Sequence, residues 1–234
     1  MKTIPSFFEE LQPVIVQRGI SQLVHFTPLN NLFSIIELQA LIARDRVLQI
    51  AKERKDQFLL DYVSFNDSMR LDARTNFINL SIEHPNISLF KRFRERYNDC
   101  NVWCVLLLTP NCLALPGALF CVGNAASTRV RACGTGATIE HLLALFADNV
   151  IAGNQFGQRT LNRHGLAACY TTDPQAEVLI PGEISLSFVK GIAFENAQAL
   201  QRAKSALTLL CPDLLKPNFE ILPELFNERP ISNG

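Results

Sequence analysis

The chain carries no excess charge of either sign, since 22 Lys and Arg residues stand against 22 Asp and Glu. No global field advertises a polyanionic partner, so any contact with nucleic acid has to come from local patches. The seven cysteines include no CxxC pair and sit in apolar runs such as "NVWCVLLL". They read as small buried hydrophobes in a reducing compartment, and neither disulfides nor a zinc site are expected. No segment reaches the roughly 18 consecutive apolar residues of a spanning helix. The N-terminus, "MKTIPSFFEELQPVIVQ", lacks the uninterrupted apolar core and small-residue cleavage site of a secretion signal. A cytoplasmic protein is expected. Phosphate-loop, dinucleotide-fingerprint and HExxH motifs are absent as well, and the nearest glycine-rich stretch, "GTGATIE" at 134–140, lacks the lysine and third glycine that phosphate binding needs.

What the chain does have is apolar content: 48% of 234 residues, enough for the core of one domain spanning residues 1–234. "SQLVHF" is β-like, and "TPLNNLFSIIELQALIARDRV" carries helical apolar spacing from Leu29 to Ile42, with Thr27 as N-cap and Pro28 in the first turn. A charged helix, "RVLQIAKERKDQF", and a basic amphipathic one, "SLFKRFRERY", flank the strand-like "TNFINLSI". "VWCVLLLTP" reads as a central strand, and strands resume at "AEVLI" and "FVKGIAF" before a last helix in "NAQALQRAKSALTLL". Strands do not alternate strictly with helices, which points to an α+β fold.

Few residues stand out chemically. Glu177 precedes the apolar run Val178, Leu179 and Ile180, where a strand wants no carboxylate. It either faces solvent on an edge strand or is held at the lip of a cleft. His25 ends a strand just before a helix start, whose backbone N–H groups and positive dipole end suit a diphosphate or ribose. Arg44, Arg46, Lys52, Arg54 and Lys55 form one basic cluster, and Lys91, Arg92, Arg94 and Arg96 another. Each is either a solvated helix face or a track for nucleic-acid phosphates, depending on whether both rim one cleft.

Four stretches taken in order, "LVHFTPLNNLFSIIELQALIARD", "DYVSFNDSMRLDARTNFINLSIEHPNISLF", "NVWCVLLLTP" with "GNAAS", and "TDPQAEVLIPGEI", resemble the DarT family of DNA ADP-ribosyltransferases. Members of that family are toxins that use NAD to modify a base in single-stranded DNA and are paired with a macrodomain antitoxin, DarG. The resemblance implies an ADP-ribosyltransferase-like fold of two small, mainly antiparallel sheets packed face to face with flanking helices. It implies NAD in the cleft as ADP-ribose donor, without a metal, and contacts from His25, Phe26, Thr27, Ser34 and Arg44. Glu177 matches the family's catalytic glutamate in its "QAE" context. A family arginine would correspond to Arg54, with Arg44 as the alternative, and Tyr62 would stack on nicotinamide or serve as a half-buried strand aromatic.

This chain reads "YVSFND" where the thymine-modifying branch has "YVPFYF", which favours guanine over thymine as the base modified. Two other readings stand beside the first. One is transfer to RNA or protein, and the other is a non-catalytic NAD-fold binding module.

Overall fold

The structure is a computed structural model that describes residues 6–54, 74–96, 102–154, 157–210 and 217–229. The first half runs α1 (Phe7–Arg18), β1 (Leu23–Pro28), α2 (Leu29–Leu38), β2 (Ala40–Ile42), α3 (Arg44–Arg54), β3 (Phe77–Ile82), α4 (Ile87–Arg96) and β4 (Trp103–Leu108). The second half runs β5 (Leu119–Cys121), α5 (Thr128–Cys133), β6 (Thr135–Gly136), α6 (Ile139–Ala144), β7 (Asn149–Asn154), β8 (Gly157–Asn162), β9 (Glu177–Pro181), β10 (Glu183–Ser185), β11 (Val189–Phe194), α7 (Ala197–Leu210) and β12 (Asn218–Ile221).

Every residue of β4 is buried. The sequence "WCVLLL" has no polar face because both sides of the sheet are covered at this strand. Cys104, Leu106 and Leu108 join the main core with Leu23, Leu80 and Val178. Trp103, Val105 and Leu107 pack on the other face with Val24, Phe90 and Phe226. Strands β12, β11, β4, β1, β3, β9, β5 and β6 lie side by side in that order as one eight-stranded sheet. All pairings in it are antiparallel except β11 with β12.

The expected α+β class is what the structure has, but the sheet detail differs. In place of two separate sheets packed face to face, two halves are joined through β1 and β3 by only two residue pairs, Leu23 with Ile82 and Val24 with Ser81. Past Val24 the strands part: β1 goes on pairing with β4 as far as Pro28 with Trp103, while β3 goes on pairing with β9. The opening between them is the cleft described below.

Two local expectations fail near this opening. Pro28 takes the N-cap position of α2, with no side-chain hydrogen bond, and Thr27 belongs to β1. The helical pattern also stops at Leu38, because Gln39 adopts a left-handed conformation with φ of 52°. Leu41 and Ile42 then form β2, which pairs with β10. The apolar spacing there reflects a buried strand face that mimics a helical one.

Candidate active site

β1 delivers three consecutive side chains to the opening. The His25 Nδ1–H donates to the Asn79 carbonyl at 2.9 Å, bridging the strands where their backbone pairing has stopped. A carbonyl can only accept, so Nδ1 carries the proton of this bond. Phe26 stacks on Phe90, with ring centroids 4.5 Å apart, and lies 6.0 Å from Phe93 and 6.4 Å from Trp103. This aromatic group ties β1 to α4. Thr27 is buried, and its Oγ1 accepts a hydrogen bond from Asn31 Nδ2 at 3.1 Å. Ser34 Oγ in turn donates to the Asn31 carbonyl at 2.9 Å. The first turn of α2 is thus locked onto the end of β1, although the Leu29 N–H is occupied by Val102 O at 2.8 Å.

Glu177 opens β9, which lies between β3 and β5 and is no edge strand. The carboxylate is only 4% exposed, and Oε2 accepts the Ala125 N–H at 2.8 Å from the "GNAAS" loop. A carboxylate this buried is held by directed donors. The segment before it is folded tightly. Asp173 Oδ1 accepts the Gln175 N–H at 2.8 Å, and Arg229 donates to the carbonyls of Thr171 and Thr172 at 2.6 and 3.2 Å. Burial pushes the Asp173 carboxyl above the usual range, against the Gln175 N–H and the Arg229 charge, which favour the ionised form.

A cavity of about 210 Å³ occupies the opening, and His25, Phe26, Thr27, Ser34, Arg44 and Glu177 all line it. Of the other two residues singled out, Arg54 is the last residue of α3 and its side chain lies outside the described residues, as does Tyr62 altogether. Lys55 of the first basic cluster is outside them too. Three asparagines that sequence reasoning passed over, Asn31, Asn79 and Asn86, also line the cavity. Their signal was faint: a polar residue at every second position of "FINLSI", and an asparagine after proline at a helix start.

The basic clusters do not behave alike. On α4, Lys91 pairs with Glu228 at 2.7 Å and Arg94 makes two hydrogen bonds to Glu195 at 2.8 and 3.2 Å, so this helix spends two of its cations within the chain. Its Leu89 and Phe93, rather than its charges, reach the cleft. From the α3 cluster Arg44 lines the cavity, while Arg46 lies 4.0 Å from Glu53 on an exposed face. The cysteines are free where described, and three of them are buried. Burial pushes the Cys112 thiol up to about 12, so it is an inert core residue.

A split, mainly antiparallel sheet with a histidine on one lip of the cleft and a buried glutamate on the other is the arrangement that the resemblance to ADP-ribosyltransferases implies. The comparisons narrow this. The model of the family described as "ssDNA thymidine ADP-ribosyltransferase, DarT" matches residues 24–227, and the chain belongs to that family. No curated protein matches it. Among solved structures, the DarT of Thermus sp. 2.9 in complex with NAD+ is similar at TM-score 0.56 and 12% identity, over 89% of this chain and 98% of that one. The same protein in complex with ADP-ribosylated ssDNA gives TM-score 0.56 and 12% identity over 89% and 97%. The DarTG of Thermosipho africanus in complex with ADP-ribose gives TM-score 0.50 and 14% identity, over 88% of this chain and 51% of that one. At such identities the likeness is one of fold.

Proposed function

We propose that the cleft binds NAD and transfers its ADP-ribose to a base of single-stranded DNA. The observation that carries this reading is the convergence of His25, Thr27, Ser34, Arg44 and Glu177, from four separate elements, on one cavity. The family's activity and the NAD+ and ADP-ribosylated ssDNA complexes of the Thermus protein support it.

In this reading His25 and Thr27 hold the adenosine-side ribose and its diphosphate neighbourhood, and Ser34 and Arg44 add contacts. The glycosidic bond to nicotinamide breaks with its electron pair leaving on the ring nitrogen, and positive charge develops on the ribose. Glu177, hydrogen-bonded to the 2′-hydroxyl, lowers the energy of that oxocarbenium ion. A nitrogen of the base attacks with its lone pair, and its proton passes to Glu177. By the family resemblance alone, Arg54 is assigned as the family's arginine, with Arg44 as the alternative, and Tyr62 as the residue that stacks on nicotinamide. Neither role of Glu177 calls on a metal.

The base favoured is guanine, on the strength of "YVSFND", although the family description names thymidine. A DNA-modifying activity of this kind fits a cytoplasmic toxin restrained by a macrodomain antitoxin that removes the adduct. The direct test is release of nicotinamide from NAD in the presence and absence of single-stranded oligonucleotide. Release that DNA accelerates supports the reading; an enzyme indifferent to DNA but labelling RNA or protein overturns it.

A further inference from the structure

We propose that Asn86 and Asn79 recognise the carboxamide of the donor's nicotinamide ring and so select the intact dinucleotide over ADP-ribose. The inference rests on the NAD reading of the cleft. Asn86 is 3% exposed, and its Oδ1 accepts the Leu89 N–H at 3.1 Å as the cap of α4. That bond fixes which side-chain atom is oxygen, because only the oxygen can accept from an N–H. The remaining atom, Nδ2, is buried and makes no hydrogen bond among the described residues. Asn79 Oδ1 is likewise buried without a partner among them. Both residues line the cavity that Glu177 lines. Folded proteins seldom leave a buried donor or acceptor unsatisfied, and two such atoms on residues that line one cavity point to a ligand that satisfies them.

Register places the pair beside the reacting centre. Ile78, Leu80 and Ile82 of β3 belong to the main core, so Asn79 and Ser81 point to the opposite face. Leu80 pairs with Val178, and Val178 also belongs to the main core, so Glu177 one step earlier shares the face of Asn79 and Ser81. Val24, paired with Ser81, belongs on that face to the same apolar cluster as Phe90 and Ile87, and Ile87 follows Asn86 at the start of α4. The ribose carbon that Glu177 serves is bonded to nicotinamide, so the ring falls among Asn79, Asn86, Phe26 and Phe93.

A primary carboxamide presents one carbonyl oxygen and one NH2 side by side. The oxygen accepts from Asn86 Nδ2 and the NH2 donates to Asn79 Oδ1, which pairs both atoms at once. ADP-ribose offers neither group, and an acetylpyridine ring offers the oxygen alone.

The experiment measures calorimetric affinity for the non-hydrolysable carba analogue of NAD and for ADP-ribose. Asn86→Asp keeps an oxygen to cap α4 but removes the Nδ2 donor; Asn79→Ala removes the acceptor while keeping the backbone carbonyl that His25 uses. Each variant is expected to bind the NAD analogue about tenfold more weakly and ADP-ribose within about twofold of wild type. Nicotinamide release in the presence of single-stranded oligonucleotide should show a matching rise in KM for NAD. Equal losses for both ligands, or unchanged affinity for the NAD analogue with an altered choice of base, would overturn the carboxamide assignment. If the wild-type protein itself bound neither ligand, the NAD reading of the cleft would fall first and this inference with it.

Discussion

Replacing Glu177 with glutamine keeps the shape of the side chain and an oxygen to accept the Ala125 N–H, now 2.8 Å away, but removes the negative charge. A cation about 5 Å from a carboxylate, at an effective dielectric constant of about 20, is stabilised by about 3 kcal/mol. The same size is found when one preorganised charge-stabilising group is removed from an active site. Glu177→Gln should therefore lower the rate of ADP-ribose transfer by about 10² to 10³, with a smaller loss of NAD affinity, since the positive charge sits on the nicotinamide ring in bound NAD and moves onto the ribose only in the transition state. Alanine is the poorer probe. The carboxylate is 4% exposed, and its removal would leave the Ala125 N–H buried and unpaired at a cost of about 1–3 kcal/mol. Contrary to what a strand-entrance carboxylate suggests from sequence, Glu177→Ala should lose stability as well as activity. The assay is single-turnover transfer to an oligonucleotide beside thermal melting of each variant. Glutamine activity within tenfold of wild type would refute the electrostatic role.

His25→Ala should weaken NAD binding measured by calorimetry and lower the melting temperature by only a few degrees, because the Asn79 bond it loses is worth about 1 kcal/mol; a large loss of stability with unchanged NAD affinity would make His25 a structural residue. Asp173 has its folded-state pKa raised by burial, so its ionisation opposes folding: the stability it leaves intact at acid pH declines as pH rises from the unfolded value, about 3.9, through the raised one. Asp173→Asn should accordingly match wild type near pH 3 and melt higher at pH 7, and equal melting curves at both pH values would contradict this. Matched duplexes should resist modification, since a paired base hides its nitrogens, and activity on single strands should fall steeply between about 50 and 200 mM salt. Because Lys91 and Arg94 are paired within the chain, substituting them should change that salt slope little, and a slope reduced by a full unit would return α4 to the DNA track.

The sequence showed most where one physical requirement dominated. β4 was legible because an unbroken apolar run of strand length suits a strand covered on both faces, and β9 because a carboxylate beside "VLI" demands a reason. His25 and Glu177 could be placed in one site only through the family resemblance, since they lie too far apart in the chain for any periodicity to join them. Three features were hidden. The left-handed turn at Gln39 depends on tertiary pairing of β2 with β10, and intrinsic propensity favours continuing the helix. The parting of β1 from β3 is a matter of register, which strand composition does not encode. Strand β8, with every residue at least partly exposed, lacks the buried face that makes a strand recognisable, although its partner β7 buries Val150 and Ala152. The run of cations on α4 fits a solvated face or a phosphate track equally in the sequence, because Glu195 and Glu228, which meet two of them, lie far along the chain.

The central claim is that this cleft moves ADP-ribose from NAD to an unpaired DNA base. It is tested most directly by mass spectrometry of a mixed-sequence single-stranded oligonucleotide after incubation with the protein and NAD, with the annealed duplex, an RNA of the same sequence and the protein itself analysed in parallel. The account predicts the mass of one ADP-ribose on the single-stranded DNA, mapped to guanine, and none on the duplex. Adduct on thymine would overturn only the base preference. Adduct on RNA or protein and none on single-stranded DNA would contradict the central claim.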